Sequence, residues 1–316
     1  FFFGWGVLFN LIIAITTCLL TEAIVLKLRK RDSYASLQDG SALLTACLLA
    51  LALPSLAPWW ITVIASFFAI AIAKHLYGGL GFNPFNPAMV GYIVVMISFP
   101  LEMTLWSAPL GVDIGSMTGW PDLVTTFNWM FFGTLPLGET IDSISKATPI
   151  DLLKTQLHQM HDISETRSDP AYSAMFSGLS GTGWQWINLL FLAGGIWLVK
   201  KGIADWRIPT AFLISLVVIS NLFAVIDYSS YSSPLFHAFS GGTMLCAFFI
   251  ATDPVSASTT PKGRWIYGIS IGALVYIIRN WGGYPDGIAF AVVLMNIAAP
   301  LIDYYTQPKV FGDRKY

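Results

Sequence analysis

Long apolar runs, separated by short polar connectors, recur from one end of this sequence to the other. They lie near residues 3–26, 40–57, 59–76, 88–105, 186–200, 208–226, 235–251, 265–279 and 287–303, which makes nine. A hydrocarbon layer about 30 Å thick takes roughly 17 to 25 residues of helix, so each run reads as a membrane span. Charge decides the matter. Only 11% of the residues are charged, against about 25% in an ordinary soluble domain, and the mean hydropathy is +0.65. The expected fold is an all-α integral membrane protein of about nine to ten transmembrane helices, with membrane lipid as its surroundings.

Several functions are excluded at once. The formal net charge is -1 and no basic run tracks a phosphate backbone, so nucleic acid is not an expected partner. Cys18, Cys47 and Cys246 all sit in apolar runs without C-x-x-C spacing, so no zinc or iron–sulfur site is expected. His75 and His237 fall at opposite membrane faces, and His158 and His161 share a connecting segment, so no facing pair for haem arises. Neither G-x-G-x-x-G nor a P-loop follows a strand-like run, which leaves NADH oxidation and ATP hydrolysis without a seat. No residue is expected to be catalytic alone, and no metal ligands are assigned.

Orientation follows from the basic residues. If the turn after the first run is cytoplasmic, 13 of the 17 Lys and Arg face the cytoplasm, leaving Lys146, Lys154, Arg167 and Arg279 outside. The segment 106–185 then faces the periplasm, and it is too long to be a mere connector. The chain divides into a first membrane repeat (1–105), this loop region (106–185) and a second membrane repeat (186–316). GSALLTACLLALALPSLAP (40–58) resembles GGTMLCAFFIATDPVSAS (241–258), and a glycine-rich break follows each copy. The copies enter the membrane from opposite sides, so the repeats are inverted, a transporter-like plan. The fifth run lacks a counterpart, and a further helix is expected ahead of Phe1.

The breaks hold Gly78, Gly79, Gly81, Pro84 and Pro87 before the fourth run, and Gly282, Gly283, Pro285 and Gly287 before the ninth. Irregular backbone at membrane depth survives only where protein or a wet cavity satisfies it, so both breaks are expected at a central site. Asp253, in Thr252-Asp253-Pro254, and Asp286, in Pro285-Asp286-Gly287, are candidates for an ion or cofactor site. The other ionisable residues near run ends, including Glu22, Lys74, His75, Glu102, Asp227 and Asp303, read as solvated termini.

In the loop region, Asp142-Ser-Ile-Ser145-Lys146-Ala147-Thr148-Pro149 stands before a helical pattern over 149–160. Thr148, Pro149 and Asp151 fit N-cap, N1 and N3 of a helix. The pattern Asp142-x-x-Ser145-x-Ala147-Thr148 also resembles the signature D-x-x-[S/T]-G-A-[T/S], at which periplasmic flavin transferases esterify FMN phosphate onto a Thr hydroxyl; Lys146 stands where the signature has Gly. Further, HLYGGLGFNPFNPAMVGY (75–92), SGGTMLCAFFIATDPVSASTTPKGR (240–264), WGGYPDGIAFAV (281–292) and APLIDYYTQP (299–308) resemble the D-subunit family of Rnf ion-translocating ferredoxin:NAD oxidoreductase complexes. The B subunit of the sodium-translocating NADH:quinone reductase is the more distant relative.

The resemblance implies a multi-pass protein of the bacterial inner membrane, an electron-transport flavoprotein within a translocase that moves Na⁺ or H⁺. Thr148 would bear covalent FMN as a phosphoester, making the chain a phosphoprotein in that sense, with Asp142, Ser145 and Ala147 as the rest of the flavinylation motif. Riboflavin is a second flavin implied by the quinone-reductase relative. The other Rnf-type subunits and a flavin transferase are the implied partners. The repeats and breaks alone would equally suit a flavin-free channel or solute transporter, which has no need of the loop motif.

Overall fold

The computed structural model describes residues 2–31, 36–114, 117–118, 120–284 and 286–308. Pro285, Lys309, Arg314 and Lys315 fall outside them. Thirteen α-helices are present among the described residues. The first four are α1 (Trp5–Leu28), α2 (Ser41–Ala52), α3 (Trp59–Phe67), continued by a π-helix at Phe68–His75, and α4 (Pro87–Ser98). A middle segment follows with α5 (Leu123–Phe132), α6 (Pro149–His158) and α7 (Ile163–Ser168). Then come α8 (Trp184–Lys200), α9 (Arg207–Ile226), α10 (Pro234–Phe239), α11 (Thr243–Leu245), which runs into a π-helix at Cys246–Ile250, α12 (Pro261–Trp281) and α13 (Ile288–Thr306). Strand is confined, among the described residues, to an antiparallel pair, β1 (Asp113–Ile114) and β2 (Met117–Thr118), with Asp113 opposite Thr118.

Helix occurs in each of the nine apolar runs. By length and composition, α1, α9 and α13 are long and apolar enough to cross a membrane. Other runs are shorter than their sequence pattern predicts. The fourth ends at Ser98 rather than 105, because Phe99 leaves the helical region ahead of Pro100 and the chain resumes only as a short 3₁₀ turn at Glu102–Thr104. The second stops at Ala52, two residues before Pro54. The carbonyl that Pro54 exposes is met by the Asn10 amide at 2.8 Å, and Thr62 donates to the same side chain at 2.9 Å. Part of the middle segment packs against the first membrane group. Apolar α5 packs on α1 through Phe9, Phe127 and Phe131, and its Trp129 donates to Leu56 O at 3.0 Å.

Four helices start in one way. Asn86-Pro87, Thr148-Pro149, Ser233-Pro234 and Thr260-Pro261 each place a side-chain acceptor at N-cap and Pro at N1. Each cap side chain accepts from the N–H three residues on, which satisfies an orphan donor while Pro has none to satisfy.

The interruption inside a span is not where glycine density pointed. Both glycine-rich breaks lie between helices, whereas the seventh run is cut in two at Ser240-Gly241-Gly242. The freed backbone is satisfied by two side chains from neighbouring helices. Asn188 of α8 donates to Phe239 O (2.8 Å) and Gly241 O (2.9 Å) and accepts from Met244 N (3.0 Å). Arg279 of α12 donates to His237 O at 2.9 Å and to the Thr243 hydroxyl at 3.0 Å. This is the internal satisfaction that irregular backbone needs within a bilayer.

Close backbone approach sets how α12 packs on α9. A methyl group at Gly268 would lie 2.7 Å from Ile208 O, and one at Gly272 2.5 Å from Phe212 O. The four-residue spacing puts both glycines on one face, as in small-x-x-x-small helix pairs. Replacing Gly272 by Val is expected to force the helices apart at a cost of about 1–3 kcal/mol, read as a lower unfolding midpoint in detergent; an unchanged midpoint would refute the tight contact.

Three charged groups expected at solvated termini are instead buried. α1 continues six residues beyond Glu22, and the π-helical turn swings Lys74 and His75 inward, so that Lys74 Nζ lies 2.6 Å from Glu22 Oε1 and His75 Nε2 3.4 Å from it. Asp303, by contrast, accepts from the N–H groups of Thr259 and Thr260, stabilising the start of α12.

Candidate cofactor site

Ser145 and Lys146 of the Asp142–Thr148 motif are held as an extended strip. Ser145 pairs with Ser107 in an antiparallel bridge, and the Lys146 N–H donates to Trp106 O at 2.8 Å. Upstream, Asp142 sits exposed in a 3₁₀ turn, Ile141–Ser143. Downstream, Ala147 packs with Ala108, Val112, Leu152 and Met175. Lys146 takes the place of the signature's Gly without conformational cost, because positive φ among described non-glycine residues is confined to Lys30 and Met160. Thr148 then starts α6, half-buried, its Oγ1 accepting from Asp151 N at 3.3 Å.

Thr148 lines a cavity of about 100 Å³. α6 contributes Thr148, Ile150 and Asp151 to it, and α4 contributes Met89, Tyr92 and Met96. Gly241, Gly242 and Leu245 come from the interrupted span, Asp286, Ile288 and Ala289 from the start of α13, and Met103, Trp106 and Trp184 close the remaining side. The two indoles stand edge to face, 5.2 Å apart. Both membrane halves and the middle segment thus meet at one place. The lining is aromatic and methionine-rich, with polar groups gathered at the Thr148 side.

Two of the charges around that side, Arg279 and Asp286, are paired. Arg279, whose side chain is 1% exposed, donates through Nε to Asp286 Oδ1 at 3.1 Å and through Nη2 to Oδ2 at 3.2 Å. Gly242 N–H approaches the same carboxylate at 3.4 Å. Lys154 of α6 donates to Ile278 O (3.2 Å) and Tyr284 O (2.8 Å), tying the helix that begins at Thr148 to the second break. Burial raises the Asp151 carboxyl above its usual range, with Lys154 opposing the shift. Burial lowers the Lys154 ammonium, with Asp151 and Asp286 opposing. Replacing Lys154 by Met should loosen α6 by about 2 kcal/mol, the worth of hydrogen bonds from a charged group. Faster amide exchange across α6 would show it, and unaltered exchange would argue that the tie is idle.

Thr148 and Asp286 are therefore brought together, with Asp286 neutralised by Arg279. Asp253 stands elsewhere, accepting from Ser256 Oγ (2.7 Å) and Val255 N (3.1 Å). Ser256 O accepts from Asn296, whose amide oxygen in turn accepts from Asn86 N at 3.0 Å and whose nitrogen also donates to the Tyr267 hydroxyl at 2.7 Å. That buried chain of amides links the first break to the last helix. The sequence pattern did not single out Arg279, Lys154, Asn188 or the Asn86–Asn296 pair. The one available signal was Arg279 itself, a lone cation near the end of an apolar run with an acid seven residues on.

Fold and cavity together define a class: a helical membrane protein in which two groups of helices close around a cavity that Thr148 lines. The chain belongs to the family described as the NQR2, RnfD, RnfE family, whose model it matches over residues 1–312. It is similar to the D subunit of the ion-translocating oxidoreductase complex of Vibrio vulnificus, 53% identical over 322 residues, covering 99% of this chain and 90% of that protein. The protein so named in Aliivibrio salmonicida is 51% identical over 318 residues, covering 100% of this chain and 90% of its own length. The one in Salmonella paratyphi A is 51% identical over 321 residues, covering 99% and 89%.

Proposed function

We propose that the chain is the subunit of an ion-translocating oxidoreductase complex that holds FMN covalently on Thr148. Electrons pass through that flavin between ferredoxin- and NAD-linked partner subunits, with Na⁺ or H⁺ moved across the membrane. One observation supports this above the others: Thr148 lines an aromatic, methionine-rich cavity with few polar groups, the kind of lining usual for cofactor sites. The basic-residue bias supports a periplasmic position for Thr148, where a flavin transferase would reach it, with the two membrane groups as inverted repeats around it. In support of the repeat, α1 packs on α2 and α3 much as α9 packs on α10 and α12.

The residues fit the group. An ester at Thr148 Oγ1 would set a phosphate at the first turn of α6, where the Ile150 and Asp151 N–H groups and the helix dipole favour an anion. FMN bound there supplies one- or two-electron transfer. Trp106, Trp184 and Tyr92 would bracket a flat ring, while Met89, Met96 and Met103 exclude water from the inner wall. Arg279 pairs with Asp286, so no bare charge would stand beside the ring.

Mass spectrometry of peptides from the complex, purified from cells that make a flavin transferase, tests the reading. An FMN-sized increment on the Thr148 peptide, with ultraviolet fluorescence that survives SDS, is expected. An unmodified peptide would leave Thr148 as a helix cap alone, and a flavin-free channel or transporter would become the better account.

A further inference from the structure

A second cavity, about 230 Å³, lies along α6 and shares Ile150 with the Thr148 cavity. Leu153, Lys154, Leu157 and His158 form its α6 wall at helical spacing; the opposite wall is the 230–232 turn, with Phe236 and His237 of α10 and the last residues of α12. No Asp or Glu lines it, whereas Lys154 and His158 do, together with three residues that bear hydroxyls, Ser230, Tyr231 and Ser232. His237 supplies the independent sign of a ligand. It is 4% exposed, it lines the cavity, and neither of its ring nitrogens has a hydrogen-bond partner. A buried polar group left so is costly unless something else meets it.

The surroundings say what that something is. The cavity sits at the ends of α9, α10 and α12, and the adjoining Val225, Ile226, Ile277 and Trp281 are large apolar side chains on the surface. In a chain of this composition such a surface faces lipid, and a Trp at a span end marks the headgroup level. A ligand that enters here has an anionic head and an apolar body.

We propose that this cavity binds the phosphate of an anionic phospholipid, headgroup against Lys154, His158 and the 230–232 turn, acyl chains along the apolar flank of α9 and α12. Ile150 lines both cavities, but none of the groups proposed to hold the headgroup lines the Thr148 cavity. Anchoring a lipid here also fixes the back of the helix whose front begins at Thr148.

The test is photo-crosslinking of the intact complex in nanodiscs, with photoactivatable phosphatidylglycerol or phosphatidylcholine as probe and peptide mapping as readout. Phosphatidylglycerol is expected to label α6 and the 230–232 turn, and phosphatidylcholine is not. His158→Glu, at an exposed position, is expected to cut labelling about fivefold or more, the weight of one charge near a membrane surface. His237→Phe keeps the ring volume and should also reduce it, with the unfolding midpoint as the check on folding. Equal labelling by both lipids, or undiminished labelling of a folded His158→Glu complex, would overturn the proposal. Displacement of the lipid probe by inorganic phosphate would also overturn it, assigning the site to a free anion.

Discussion

Replacing Thr148 by Asn will abolish covalent flavin while leaving the protein as stable as before. The observed helix cap and the proposed ester acceptor separate chemically at this side chain. Asn caps a helix as well as Thr does, but it offers no hydroxyl. Thr148→Ala removes both functions, so it should lose the fluorescent band and also about 1 kcal/mol of stability. Thr148→Ser keeps both and should remain fluorescent. Gel fluorescence after SDS reads the first property and the unfolding midpoint the second. A fluorescent Asn variant would show that the flavin is attached elsewhere.

The largest loss of stability is expected from Arg279→Met. This guanidinium is 2% exposed and holds together three things: the Asp286 carboxylate, the carbonyl end of α10 and the Thr243 hydroxyl. Removing it leaves the Asp286 carboxylate with the Gly242 N–H at 3.4 Å and takes one of two donors from His237 O, at about 3 kcal/mol, the low end for a broken buried pair because Asp286 is partly exposed. Lys would not restore it, since a point charge cannot make the forked contact with Asp286 while reaching both carbonyl and hydroxyl. Arg279→Met combined with Asp286→Leu should recover part of the loss, because an apolar pair of similar volume carries no bare charge. Denaturant unfolding in detergent measures all three. A cost below about 1 kcal/mol for Arg279→Met, the level of a surface ion pair, would show that the knot does not hold the interrupted span.

The membrane character, the order of helical runs and the helix start at Thr148 are legible in the sequence, because each rests on local facts: hydropathy over one helix length, and a polar residue followed by Pro. What the sequence conceals is non-local. The break in the seventh run depends on Asn188 and Arg279, which lie 51 and 42 residues from the carbonyls they bind at Phe239 and His237. Glycine density points to 78–81 and 282–287 instead, and those segments join helices rather than interrupt one. Hydropathy misplaces Glu22, Lys74 and His75 for a related reason. A π-helical turn shifts the side-chain register, and nothing in the one-dimensional pattern reports it. The approach of Asp286 to Thr148 emerges only with the cavity, although each residue stands out separately in the sequence.

Lys146 has one more consequence. Its backbone needs no glycine and its N–H is spent on Trp106 O, so the side chain is a passenger on a fixed strip. A cysteine placed there would accept a spin or fluorophore label two residues from the proposed attachment point. Distances from that label to other subunits would then chart the route of electrons through the assembly.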